Sequence, residues 1–320
     1  MIICIYHSRD LDGWCSAAIV RKSFEEQHPE SPVYNSLYSG DRSIISSKKN
    51  EHSLTLLGWD YGDEIPNLSW YNKVIMCDIS FPKEEMEKIA EEKDFVWIDH
   101  HASAIKEMDS SEEFNSNVEQ RFTQTNYAAC ELTWFHFYPN EKISEFVRLL
   151  GRYDCFGHKG TDEEEKVLLF QYSARANING YEECYKWLKR SINESYLEER
   201  MISSGEDIYK YLCTEAQQDY KDRFDIELWE KYTEEPVKKI KRKFACVNKK
   251  RFNPVNFGID YHKDGYDGFA CFHYANGMYN FSLYNDNGQV DCSVIVKSFG
   301  GGGHKGASGF RIDDLKKLGI

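Results

Sequence analysis

Residues 2–17 read IICIYHSRDLDGWCSA, an uncharged run that ends in a turn crowded with ionisable side chains. The run at 2–6 is short, apolar and rich in β-branched residues, the pattern of a buried strand. A helix is predicted from Gly13 to about Gln27, with Trp14, Ala17, Ala18, Val20 and Phe24 at its apolar positions. Between strand and helix lie His7, Asp10 and Asp12. Two close carboxylates repel, so this turn is costly unless a cation neutralises it.

The same texture recurs downstream. SLTLLGWD (53–60), KVIMCD (73–78) and FVWID (95–99) are strand candidates. ISFPKEEMEKIAEEKD (79–94) supplies a helix, with Pro82 near its start and glutamates in the first turn. Short apolar strands alternating with helices predict an α/β fold with a doubly wound, mostly parallel sheet. From about 141 to 240 the pattern is mostly helical, and EEPVKKIKRK (234–243) has the composition of a linker. Beyond it, KFACVNKK, GFACFHYANGMYNFSLYN and CSVIVKSFGGGGHKGASGF look like short strands joined by Asn-Gly and Asp-Asn-Gly turns. The expected organisation is a first domain at 1–165, a helical connector and linker at 166–243, and a second, smaller α+β domain at 244–320.

A chain of 320 residues suits two domains. Hydrophobic residues at 41% and aromatics at 15% are enough for packed cores. The formal net charge of -13 argues against a broad basic surface for duplex nucleic acid, while leaving room for a small anion held locally. The ten cysteines form no C-x-x-C pair and are expected to be reduced core residues in a cytoplasmic protein. The N-terminus lacks a signal-peptide layout, and no apolar run approaches the roughly 20 residues that span a bilayer.

Each predicted N-terminal strand stops at a chemistry-bearing residue. The first ends at His7 and leads to Asp10 and Asp12, another ends at Asp78, and another at Asp99, His100 and His101. In an open parallel sheet the carboxyl ends of the strands share one edge, where ligands bind at the point of strand-order reversal. An isolated strand-end Asp is ordinarily a turn or cap residue, but three such endings together point to metal. Carboxylates with imidazoles suit Mn²⁺, with Mg²⁺, Fe²⁺ or Co²⁺ as alternatives. No cysteine lies among these residues, which disfavours structural zinc. Two cations about 3.5–4 Å apart would clamp a phosphoryl group and activate a bridging water. Asp78, alone on its strand end, is the natural bridge between them.

HSRDLDG (7–13), CDIS (77–80), IDHHAS (98–103) and GRYDCF (151–156) resemble, in order, the four motifs of the DHH phosphoesterase superfamily. GGGHKGASG (301–309) resembles the glycine-rich signature of the DHH-associated second domain. The resemblance extends from residue 1 to about 310. It implies that His7, Asp10 and Asp78 hold a first cation, and that Asp12, Asp78, His100 and Asp154 hold a second. Asp154 is supplied by the resemblance alone. His101 is implied to face the substrate phosphate, and Asp99 to orient a neighbouring histidine. In the second domain Gly301, Gly302 and Gly303 allow close backbone approach and an anion nest, with His304 and Lys305 as further donors to substrate. The family's second domain folds over the metal site, which implies a cleft that closes about the linker. Arg152 and Arg175 are candidate phosphate partners.

Such a site implies hydrolysis of a phosphate ester or anhydride by in-line attack of metal-activated water. The chain looks most like the oligoribonuclease or cyclic-nucleotide phosphodiesterase branch. The expected activity is a Mn²⁺-dependent phosphodiesterase acting on short RNA or DNA fragments. Cyclic mono- or dinucleotides and 3′-phosphoadenosine 5′-phosphate (pAp) are the alternative substrates. A non-catalytic nucleotide sensor on the same fold would be expected to have lost ligands, and none is missing here. No duplex nucleic acid and no membrane is expected as a partner, and a homodimer is compatible with this picture.

Overall fold

The computed structural model describes residues 1–36, 52–194, 196–232, 238–250 and 252–319. The chain divides into two compact units, Met1–Ile208 and Tyr209–Ile320.

In the first unit, β1 (Ile2–His7) is followed by α1 (Leu11–Gln27), β2 (Val33–Ser36), β3 (Leu54–Trp59), β4 (Lys73–Cys77), α2 (Lys83–Glu92) and β5 (Asp94–Asp99). Then come α3 (Ala102–Asp109), α4 (Glu112–Asn117), β6 (Gln120–Thr123), α5 (Ala129–Phe137), α6 (Glu145–Asp154), α7 (Glu164–Asn177) and α8 (Tyr181–Asn193). The strand order is β2-β3-β1-β4-β5-β6, and every pairing is parallel. Alternation along β1 feeds two cores. Cys4 and Tyr6 pack with α1 and α5 to α8, and Ile3 and Ile5 with α2 to α4. Helices therefore cover both faces, as the period of the strands predicts. The winding direction reverses at β1, with β3 on one side and β4 on the other, so the ends of β1 and β4 flank the switch point.

The two edge strands β2 and β6 are absent from the sequence expectation. Each has four residues, VYNS and QRFT, too short and polar to show an apolar pattern.

A helix α9 (Leu197–Lys221) contains the division between the units. The second unit then contains β7 (Phe224–Tyr232), β8 (Lys238–Asn248), β9 (Gly268–Ala275), β10 (Met278–Tyr284), α10 (Cys292–Lys297), β11 (Gly302–Gly303) and β12 (Ala307–Ile312). Its sheet has the order β11-β12-β10-β9-β8-β7, parallel only between β8 and β9. Asn276 and Gly277 both take positive φ at the β9–β10 hairpin, as the Asn-Gly turn predicts.

Three expectations for this region differ from the structure. Residues 238–243, part of the expected linker, lie in β8 and pair with β7; 234–237 lie outside the described residues. The sheet starts at 224, inside the stretch expected to be helical. There the pattern of β7 is strictly alternating, with Ile226, Leu228 and Glu230 buried. Residues 292–297, CSVIVK, form a helix rather than a strand. Their β-branched run favours a strand, but Asp291 caps the backbone amides of Ser293 and Val294 and starts a turn.

All ten cysteines are free, and eight are buried, in keeping with their expected role as core residues. Among the described residues no helix is long and apolar enough to cross a membrane.

Candidate metal centre

The carboxyl ends of β1, β4 and β5 meet the first turn of α1 and the last turn of α6. Gly13 makes the approach of α1 to β1 possible, because a Cβ there would lie 2.1 Å from the His7 carbonyl oxygen. Asp10 caps α1, its Oδ1 accepting from the Gly13 amide at 3.1 Å. Its other oxygen lies 2.7 Å from His7 Nδ1. Asp12, 2% exposed, accepts from the amides of Ala129 (2.9 Å) and Cys130 (2.7 Å) at the start of α5. The positive end of that helix offsets part of the cost of burying the carboxylate.

Asp78 follows β4 with φ 61°, a left-handed conformation for a non-glycine residue. It sits at the middle of the cluster. Oδ2 is 3.4 Å from His7 Nδ1, and Oδ1 is 3.3 Å from His100 Nε2 and 3.8 Å from His101 Nδ1. His100 Nε2 also lies 3.5 Å from Asp12 Oδ2 and 3.2 Å from Asp154 Oδ2. Three sets of donors have their ligand atoms within 4.8 Å of one another: His7, Asp10 and Asp78; Asp12, His100 and Asp154; and Asp78, His100 and His101. The first two correspond to the two cation sites implied by the motifs, with Asp78 beside both.

Asp99 is fully buried and does different work. Its Oδ1 accepts from the backbone amides of His100 (2.7 Å) and His101 (3.1 Å) and lies 2.8 Å from His101 Nδ1. These contacts tie it to the backbone and ring of the histidine pair, and it is in none of the three donor sets.

The electrostatics are those of closely packed carboxylates and imidazoles. Burial raises the Asp12 pKa well above the usual range, and repulsion from Asp78 and Asp154 adds to it. Burial would lower the pKa of His7, but hydrogen bonding to Asp10 and Asp78 pushes it up to about 11. His100 is raised in the same way, chiefly by Asp154 and Asp78 against its burial. Asp78 is lowered, the two histidines overcoming desolvation. The buried atoms His7 Nδ1, His100 Nε2 and Asp78 Oδ1 nonetheless lack a well-formed hydrogen bond. Buried polar atoms are ordinarily satisfied. Here they converge at ion-pair distance without well-aligned hydrogen bonds, an oxygen and nitrogen donor set that suits divalent cations.

The other expected site residues divide. Arg152 is engaged elsewhere: its Nη2 lies 2.6 Å from Oε2 of buried Glu131 and 3.1 Å from the Asn126 carbonyl. This pair ties α6 to α5 and sets the end of α6 from which Asp154 projects. Gly301, Gly302, Gly303, His304 and Lys305 belong to the second unit. Gly302 and Gly303 pair with Gly309 and Ser308, and a Cβ on Gly301 would lie 2.2 Å from the Gly309 oxygen, so close strand approach already requires glycine there. The His304 amide donates to the Ala307 carbonyl, and the Lys305 carbonyl accepts from Cys292.

One neighbour of the cluster was not singled out from sequence. Asp60, just after β3, has Oδ1 3.6 Å from His7 Nε2, on the side of the ring away from Asp10, while its Oδ2 pairs with Arg9 at 2.7 Å. The signal was available, since it too is an acidic residue at a strand end.

Residues 2–150 match the family model described as DHH family, N-terminal domain. An uncharacterized protein of Acanthamoeba polyphaga mimivirus is 24% identical over 328 residues, covering 98% of this chain and 68% of that one. Among solved structures the chain is similar to a pGpG-specific phosphodiesterase from Vibrio cholerae, at 11% identity and a TM-score of 0.44, covering 99% of this chain and 96% of that one. It is also similar to an exopolyphosphatase-related protein from Bacteroides fragilis, at 13% identity and a TM-score of 0.45, covering 98% and 87% of the two chains.

Proposed function

Since the chain belongs to the DHH superfamily of phosphoesterases through residues 2–150, we propose that it is a phosphodiesterase of short linear oligoribonucleotides that works with two divalent cations, Mn²⁺ first among them. The observation that carries this reading is the convergence of His7, Asp10 and Asp78 with Asp12, His100 and Asp154 into two adjoining donor sets. Bound there, divalent cations supply Lewis-acid polarisation of phosphoryl oxygens and lower the pKa of coordinated water.

The protein's own groups do the rest. Asp78 stands between the two sets and holds them at one spacing. Asp99 fixes the orientation of His101 through Nδ1, which directs the Nε2 side of the ring to a substrate oxygen. The Tyr61 ring, 56% exposed with its centroid 6.5 Å from that of His7, offers a face on which a base can stack. The net charge of -13 suits a substrate only a few nucleotides long, with few phosphates to repel.

The test is a product assay on the purified chain with Mn²⁺ and a mixture of a ribodinucleotide, a short linear RNA, cyclic AMP, cyclic di-AMP and pAp. Consumption of the linear RNAs with release of mononucleotides is the expected result. Selective loss of a cyclic nucleotide or of pAp keeps the metal chemistry and replaces the substrate. Binding of Mn²⁺ with no turnover of any of them would make the protein a sensor.

A further inference from the structure

The proposed pair of cations is balanced by its own ligands. Ionised Asp10, Asp12, Asp78 and Asp154 together match the charge of two divalent cations, so the centre alone offers a phosphate little net attraction. Phosphoryl transfer gathers further negative charge on the phosphoryl oxygens at the transition state. A further cationic donor there, beside His101, would stabilise that charge. Two arginines near the cluster are committed: Arg9 to Asp60 at 2.7 Å, and Arg152 to Glu131 at 2.6 Å.

Arg175, on α7, is different. It is exposed, and its guanidinium carbon lies 4.9 Å from the ring centroid of Tyr153 and 5.8 Å from that of Tyr172. Among the described residues no carboxylate is within ion-pair distance of it. Tyr153 directly precedes Asp154 at the end of α6, so the guanidinium packs on the residue next to a ligand of the centre. Its pKa is raised, by Tyr153 and Tyr172 first and by Asp154 and Asp10 to a smaller extent, against the desolvation from the packed rings. A guanidinium lying against aromatic faces is held in place while its N–H edge remains available, and its planar fork matches the oxygens of a phosphate.

We propose that Arg175 is the phosphate-binding arginine of this centre, donating to a non-bridging oxygen of the substrate phosphoryl group. The assignment rests on the two-cation reading above. It requires no particular nucleotide.

Calorimetric titration of the full chain tests it, first with Mn²⁺ and then, Mn²⁺-loaded, with inorganic phosphate as probe. Arg175→Ala is expected to weaken phosphate binding by about tenfold to a hundredfold, the range for loss of one charge-assisted hydrogen bond. Mn²⁺ affinity is expected to stay unchanged, and Arg175→Lys to recover part of the loss. Equal phosphate affinity in Arg175→Ala and the wild type overturns the proposal. Loss of Mn²⁺ binding in that variant overturns it too, by making Arg175 part of the frame of the centre. Should Arg175→Ala fail to fold, Arg175→Gln decides by the same comparison. A wild-type chain that binds no Mn²⁺ overturns both this proposal and the two-cation reading. One that binds Mn²⁺ but no phosphate overturns this proposal alone.

Discussion

At the scale of single residues, the centre holds side chains at positions that would be awkward without it. Asp78 has a positive φ, a conformation that Asp tolerates better than most residues but at some cost, and that persists where the surroundings require it. Asp12 and Asp154 are both implied ligands, yet they should behave differently on substitution. The Asp12 carboxylate satisfies two buried amides, Ala129 and Cys130, whereas the Asp154 side chain is 34% exposed. Asp12→Ala should therefore destabilise the metal-free protein by about 2 kcal/mol or more, the cost of stranding buried donors. Asp12→Asn, which keeps one of the two acceptors, should lose less than Asp12→Ala, and Asp154→Ala should melt close to wild type. All three should lose tight Mn²⁺ binding. Thermal melts in chelator, paired with Mn²⁺ titrations, check the contrast. Equal melting of the two alanine variants would refute it.

Elements add constraints that single residues do not have. The helix α5 begins on the Asp12 carboxylate and on Glu131, whose Oε2 accepts from the Ala128 amide at 3.0 Å. It ends near His136, whose ring lies 4.4 Å from that of Phe122 on β6. Burial, with a smaller push from the Lys73 charge, lowers the His136 pKa to about 4. An unfolded histidine takes up its proton near pH 6.5, so between those values the unfolded chain binds the extra proton. Stability from this group is whole above about pH 6.5 and is lost as pH falls toward 4. In urea unfolding, wild type should lose roughly 1–2 kcal/mol more than His136→Phe between pH 7 and pH 5. Equal losses would show that His136 does not contribute. In the second unit, α10 depends on its cap. Asp291→Ala should cost about 1 kcal/mol and leave Mn²⁺ affinity unchanged, because every implied ligand lies in the first unit. Urea unfolding and Mn²⁺ titration of the variant test both parts. The cap also explains why α10 is a helix where its residues predict a strand: in CSVIVK propensity and cap disagree, and the cap hydrogen bonds prevail.

For the whole molecule, metal binding and stability are linked. Without cations, four carboxylates share their cluster with three histidines. Mn²⁺ at a hundred times its dissociation constant should stabilise the protein by about 2.7 kcal/mol, seen as a rise in melting temperature that Asp78→Asn abolishes. The His7 pKa, raised to about 11 without metal, means that binding must displace a proton, so Mn²⁺ affinity should rise with pH. Titrations in buffers of different ionisation enthalpy measure that release, and none would contradict the assignment of His7 as a ligand. By itself, the sequence determined the parallel, doubly wound first unit and the gathering of the strand-end residues His7, Asp10, Asp12, Asp78, Asp99, His100 and His101 at one edge. Period-two apolar runs and the residues that end them are local signals, and the topology of a parallel sheet collects strand ends on one edge. Asp154 was legible only through its motif, because nothing around it distinguishes a ligand from a turn residue. Tertiary structure alone decided which arginine is tied to Glu131 and which packs on the rings of Tyr153 and Tyr172. It alone also set the Asp12 contact with α5, the edge strands β2 and β6, and the second sheet's start at Phe224. Each of these depends on a partner far away in sequence, and a choice among distant partners leaves no periodicity or propensity for the sequence to display.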